Sequence, residues 1–359
     1  MNGYASLSLR SLYPVAALVC LHSPSVEAHP DPLENIKIYT YVLSISPENH
    51  YAYLNRGISC RMVSDFGRAI DDFNQAERMG VTGRYLWMNR AMAYVSLGRF
   101  DEAIEDLDRI LELEPNDPAT WFYRGEVFYR QKDFRKALSD YSKSLEIKEA
   151  AHVCFVRADA HRMLGELDAA IEDYTRAIRK RPYTTGFLIA RAKCFALMKR
   201  YDEARSDLDE AERKQPERYQ IYIERAILSA SQSLEASKTA DIKLALQYLE
   251  DELFFRPKDP QVFSDRAKVY DLSGEIERAR EDFDRAVEYA DPFDSAYLKL
   301  RAEFLERQGE REAARVDRDR AEEIDSKPVP TATPLPGPTL TPEEIRAQPT
   351  PNLLPGLAP

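Results

Sequence analysis

An arginine followed by glycine or alanine returns about every 34 residues along this chain of 359 residues. The pairs are Arg56-Gly57, Arg90-Ala91, Arg124-Gly125, Arg157-Ala158, Arg191-Ala192, Arg225-Ala226, Arg266-Ala267 and Arg301-Ala302. An alanine stands twelve residues after each small residue, as in Ala69, Ala103 and Ala137, except in the sixth unit, where Ala245 comes seven residues late. A fixed period of this size means that one short helical hairpin is stacked on copies of itself. A single hairpin cannot bury its own apolar face, so its neighbours must cover it.

Further columns give the two helices of the unit. Four residues before the small residue sits a bulky group (Tyr53, Trp87, Trp121, Cys154, Leu188), and three residues after it another (Cys60, Tyr94, Phe128, His161, Phe195). That spacing puts all three on one helical face. A turn follows, with glycine in half of the units (Gly98, Gly165, Gly274, Gly309), where a helix stop needs backbone freedom. The second helix sets its alanine beside a bulky residue four positions on, such as Phe73, Leu107, Tyr141 or Tyr174, so small faces large and the helices can approach closely. Prolines at 47, 115, 182, 216 and 257 end several units.

One unit reads RYLWMNRAMAYVSLGRFDEAIEDLDRILELEPND. It strongly resembles the tetratricopeptide repeat, and the resemblance runs over roughly residues 33–325. It implies an all-α, right-handed superhelical solenoid of about eight helix-turn-helix repeats, starting near His50, Arg84, Pro118, Ala151, Thr185, Tyr219, Pro260 and Ser295. Residues 29–49, with Asn35 to Ser46 as an isolated second helix, form an N-terminal half-repeat, and the array is expected over 50–327. Seven extra residues around Ser231–Ala240 lengthen the sixth hairpin, either in its turn or in its helix.

The two ends differ from the array. Residues 1–28 carry Arg10, the apolar run SLYPVAALVCL and small residues before a cleavage point at Val26-Glu27-Ala28, the pattern of a signal peptide. This predicts a secreted or cell-envelope protein, with a cytoplasmic location as the alternative. Residues 328–359 are rich in proline and are expected to be a disordered tail biased to polyproline II. A net charge of −11 lacks the basic stripe that a nucleic-acid surface needs. It leaves room for a weak membrane or envelope association, and it leaves the oligomeric state open.

No phosphate-binding glycine loop, HExxH pair, CxxC pair or nucleophile elbow occurs, so no enzyme and no cofactor is expected. His152, Cys154 and His161 gather in the fourth repeat, but Cys154 and His161 fall in core columns, so packing rather than metal binding is expected. The remaining cysteines imply no disulfide framework. Asp72, Asp106, Asp140, Asp173, Asp207, Asp282 and Asp317 each follow a column arginine by sixteen residues, and Tyr248 takes that place in the lengthened unit. The pairing predicts a ladder of Arg–Asp ion pairs that fixes helix register. The alternative is that the arginines hold an acidic ligand.

The resemblance also implies that the first helices line a concave groove. Its columns give Tyr51, Leu54, Asn55 and Ile58, then Tyr85, Met88, Asn89, Met92 and Val95, then Phe122 and Tyr129, then Phe155. This apolar, aromatic stripe is the expected partner-binding site. Asn55 and Asn89 are placed like the asparagines of carboxylate clamps for chaperone tails. The basic partners are missing in the third repeat, where Ala119 and Tyr123 stand, so that ligand is not expected. The functional expectation is a non-catalytic scaffold or adaptor that holds a peptide or helix of another protein. The alternatives are a self-associating structural envelope protein and an accessory subunit of a cell-envelope enzyme.

Overall fold

The computed structural model describes residues 31–292 and 294–326. Among them are 17 α-helices and no strand. Helix α1 (Pro32–Ile45) stands alone, and the rest alternate as first and second helices of hairpins. The hairpins are α2 (His50–Met62) with α3 (Phe66–Arg78), α4 (Arg84–Ser96) with α5 (Phe100–Leu113), α6 (Pro118–Arg130) with α7 (Phe134–Ile147), and α8 (Ala151–Met163) with α9 (Leu167–Lys180). Then come α10 (Thr185–Leu197) with α11 (Tyr201–Lys214), α12 (Tyr219–Ser231) with α13 (Glu235–Phe255), α14 (Pro260–Ser273) with α15 (Ile276–Tyr289), and α16 (Ala296–Arg307) with α17 (Arg311–Ser326). The first seven hairpins begin at the residues that the period predicts, and the eighth begins one residue later.

Local chemistry starts and stops these helices. Asp31, Asp117 and Asp259 cap their helices through the side chain, each followed by a proline in the first turn that needs no amide hydrogen. Asn49, Asp65 and Asp133 cap in the same way. Between the two helices of every hairpin one residue takes the left-handed conformation: Gly98, Gly165, Gly274 and Gly309 in four, and Ser64, Lys132, Lys199 and Ser233 in the other four. The turn is therefore one backbone shape, with or without the residue that suits it best.

The seven extra residues of the sixth repeat are helical. Helix α13 has 21 residues where most other second helices have 13 or 14, and its hairpin turn is as short as the rest. Seven residues are close to two helical turns, so Ala245 and Leu249 return to the buried face that the alanine and bulky columns occupy elsewhere.

The residues fall into two compact units. Residues up to Pro115, with α1–α5, form one, and residues from Asn116, with α6–α17, form the other, where the repeat pattern alone reads as a single array. In each, the alanine column is closed: Ala69, Ala103, Ala137, Ala170 and Ala279 have no exposed surface. Two glycines mark the tightest contacts. A Cβ at Gly57 would sit 2.8 Å from the Phe73 ring, and one at Gly125 would sit 2.7 Å from the Tyr141 ring. The signal-like residues 1–28 and the proline-rich 328–359 lie outside the described residues.

Candidate functional site

The arginine column resolves into a built device. In seven repeats the guanidinium grips both oxygens of the aspartate sixteen residues on, through Nε and Nη2, at distances between 2.6 and 2.8 Å. All seven aspartates are buried. The third nitrogen reaches back to the second helix of the preceding repeat. Arg90 Nη1 meets Asn74 at 2.9 Å and Glu77 at 2.6 Å, Arg157 meets Ser142 at 3.0 Å, Arg191 meets Thr175 at 2.8 Å, and Arg301 meets Asp284 at 2.8 Å. Each of these arginines ties three helices, and all three of its nitrogens are engaged inside the protein. Burial works to lower the Arg90 pKa, but its bonds to Asp106 and Glu77 outweigh that and raise it, so the charge is held.

The sixth repeat breaks the pattern. Arg225 turns to Asp209 and Glu212 of the preceding second helix, and Tyr248 stacks on Tyr222 at 5.5 Å in the aspartate's place. Counted straight along the chain, with no allowance for the insertion, the sixteenth residue after Arg225 is Asp241, two turns before Tyr248 in the lengthened helix. Its carboxyl is pushed up to about 6, first by burial and then by Glu212 and Asp209, with Arg225 opposing.

The predicted stripe divides between the two units. In residues 31–115, Tyr51 and Tyr85 are exposed, Tyr85 by 62%. Asn55, Ile58, Met88, Met92 and Val95 are half-buried beneath them. Leu54 and Asn89, also in the predicted set, are buried, at 7% and 8% exposure. Asn89 is also occupied: its amide nitrogen donates to the Tyr85 carbonyl at 2.7 Å, and its oxygen accepts from Arg61 Nε at 3.1 Å. Met62, one turn beyond Ile58 and 59% exposed, belongs to the same face and was not in the predicted set.

In the second unit the stripe is half-buried and packed on the core. Phe122, Tyr129 and Phe155 pack against the core around Tyr141 and Cys154. Phe155 meets Phe187 at 5.0 Å, and Phe122 meets the edge of His152 at 5.1 Å. Around them the first helices carry charges that answer one another. The Tyr141 hydroxyl donates to Glu126, the Tyr174 hydroxyl donates to Asp159 at 2.7 Å, and Arg162 pairs with Asp159 at 3.0 Å. Lys193 pairs with Glu224 at 2.8 Å. Burial first, then Asp159, raises the Tyr174 pKa, so the phenol stays protonated as the donor. The pairing of a second-helix tyrosine with an acid two residues after the column arginine is present in the sequence, but only as two single-repeat departures.

The described cysteines, Cys60, Cys154 and Cys194, are core residues. Burial pushes the Cys60 thiol up to about 12 and the Cys194 thiol to about 11, and Cys154 has no exposed surface. No group of three or more histidine, cysteine or acidic residues that could hold a metal occurs among the described residues.

With this geometry in view, the family is plain. Tetratricopeptide repeat profiles match residues 88–152, 151–182 and 265–326. The chain is a tetratricopeptide repeat protein, and arrays of this family are typically non-catalytic scaffolds for protein interaction. No curated protein sequence matches significantly. Among solved structures, the chain is similar to the C-terminal part of a repeat-containing protein from Cytophaga hutchinsonii, with 15% identity over 69% of this chain and 98% of that one and a TM-score of 0.50. A repeat protein from Parabacteroides merdae is 21% identical over 66% of this chain and 91% of its own, with a TM-score of 0.47. One from Thermus thermophilus is 20% identical over 53% and 98%, with a TM-score of 0.43.

Proposed function

We propose that this protein is a non-catalytic adaptor whose first helices in residues 31–115 hold an apolar segment, helical or extended, of another protein. The observation that carries this reading is the exposure of Tyr51, Met62 and Tyr85 above the half-buried Met88 and Met92 on α2 and α4. Tyrosine and methionine suit such a role, because they present large apolar area at small entropic cost or adapt to varied shapes. Arg61, three residues after Ile58 on α2, is held by Asn89.

A peptide library displayed on phage and selected against the full chain tests the proposal. Selected peptides should carry apolar residues at helical or alternating spacing, and their affinity should fall at least about tenfold for Tyr51→Ser/Tyr85→Ser. Circular dichroism should show that the variant keeps its helices. Equal affinity for wild type and variant would place binding elsewhere.

A further inference from the structure

Three consecutive turns between repeats, within the second unit, carry an unusual pairing of free positive charge and exposed aromatic rings. The first turn reads Arg179-Lys180-Arg181-Pro182-Tyr183, and Tyr183 is 83% exposed. The second includes Arg213, Lys214 and Arg218. The third reads Phe254-Phe255-Arg256-Pro257-Lys258, and its two rings, 81% and 78% exposed, sit edge to face at 5.3 Å.

These turns form one edge. Lys214 Nζ donates to the Pro182 carbonyl at 2.6 Å and lies 5.7 Å from the Tyr183 ring. Arg218 donates to Thr185 at 2.9 Å, which ties the second turn to the start of α10. Burial first, then Asp265, raises the pKa of Tyr219, the first residue of α12, and Arg256 of the third turn lies close enough to oppose that rise. Across residues 179–183, 212–218 and 254–259 there are eight lysines and arginines against three acids, in a chain whose net charge is −11. Arg179, Arg181, Arg213 and Lys258 have no carboxylate partner among the described residues. The edge is not a general property of the repeat. The corresponding turn at 112–117 carries Glu112, Glu114 and Asp117 with no base, and the one at 288–294 carries Glu288, Asp291 and Asp294 with no base.

We infer that this edge docks peripherally on an anionic lipid surface, with Tyr183, Phe254 and Phe255 entering the interfacial zone and the neighbouring bases meeting phosphate headgroups. Rings at projecting turns, each beside arginine or lysine, match the layered chemistry of a bilayer interface, where apolar area and basic charge add. A folded acidic partner would be met by the charges alone and leaves the three rings without a role. Among the described residues no helix is long and apolar enough to cross a membrane. It requires nothing of the peptide-holding face in residues 31–115.

The experiment is co-sedimentation of the full chain with vesicles of phosphatidylcholine alone, or of phosphatidylcholine with about one third phosphatidylglycerol. Binding is expected only to the anionic vesicles and should weaken as salt is raised. Phe254→Ser/Phe255→Ser should lower the partition at least about tenfold, and Arg179→Glu/Arg181→Glu should abolish it. Leu113→Ser, at an exposed apolar residue of an acidic turn, should leave binding unchanged. The altered side chains stand in solvent, and unchanged melting curves confirm that the variants fold. Absence of binding to anionic vesicles, equal binding to both kinds, or equal loss in Leu113→Ser overturns the inference. So does capture of polyglutamate without capture of vesicles, which would mark the edge as a site for an acidic protein.

Discussion

Arg90 holds both carboxylate oxygens of Asp106 at 2.7 Å, across the gap between α4 and α5, with the two side chains 5% and 3% exposed. The same grip recurs in six other repeats. Taking both charges out of water is costly, and their attraction offsets that cost only in this bidentate geometry. The ladder therefore specifies which turn of one helix faces which turn of the next, more than it adds net stability.

Breaking one rung should be worse than removing it. Arg157→Leu leaves Asp173, which Arg157 holds at 2.6 and 2.7 Å, buried with only the longer 3.4 Å contact of Arg176. We expect a loss of about 3–5 kcal/mol. Adding Asp173→Leu should return more than about 1 kcal/mol relative to the sum of the single variants in a double-mutant cycle by urea unfolding. Additive effects would show that the pair carries no coupling.

The left-handed turn residues predict opposite effects at equivalent places. Lys199 has a φ of 59° where Gly165 has 77°. Lys199→Gly should stabilise by about 0.5–1 kcal/mol, since relief of backbone strain outweighs the greater freedom of the unfolded glycine. Gly165→Ala should cost about 1 kcal/mol. Thermal melts of the two variants check both signs.

Gly125→Ala should destabilise by about 1–3 kcal/mol, because its new methyl would overlap the buried Tyr141 ring. Combining it with Tyr141→Leu, the pairing that Ala91 and Leu107 already use in the second repeat, should cost less than Tyr141→Leu does alone. An unchanged melting temperature for Gly125→Ala would mean that the two helices separate freely.

Asp241 supplies a pH dependence. Its carboxyl titrates near 6 in the fold, above its ordinary range, so the native state binds this proton more tightly than the unfolded chain does. Its contribution to stability is therefore greatest below about pH 4 and is lost as pH rises through about 6. Asp241→Asn should stabilise the protein above pH 6.5 by about 1 kcal/mol, after allowance for solvent screening, and should flatten the difference between pH 4 and 6. Melts of both forms from pH 4 to 8 read this directly. A constant offset between them would show that Asp241 is ionised throughout.

The hairpins were legible in the sequence because their signals repeat. Eight copies of Arg-small and the following alanine set helix starts to within one residue, and the recurring aspartate revealed the ladder before any coordinate. What occurs once was not legible. Whether Leu54 faces a partner or its neighbour depends on how adjacent first helices rotate against each other, and the columns say nothing of that angle. Phe122, Tyr129 and Phe155 are half-buried against the core around Tyr141 and Cys154, a contact that depends on how α6 to α9 pack together. Phe254 and Phe255 carry no signal in the columns, because they fall after the column positions, where the repeat has no rule.

The lengthened α13 shows how such a chain can grow. Seven residues advance a helix by about 700°, some 20° short of two full revolutions, so every later side chain keeps its heading while the rod extends by about 10 Å. An insertion of five or six would swing the alanine column round by a large part of a revolution and unseat the hairpin. In-frame additions to the second helices are thus quantised. Duplications of seven should be tolerated where those of five are eliminated, and the family's indels can be sorted by their phase.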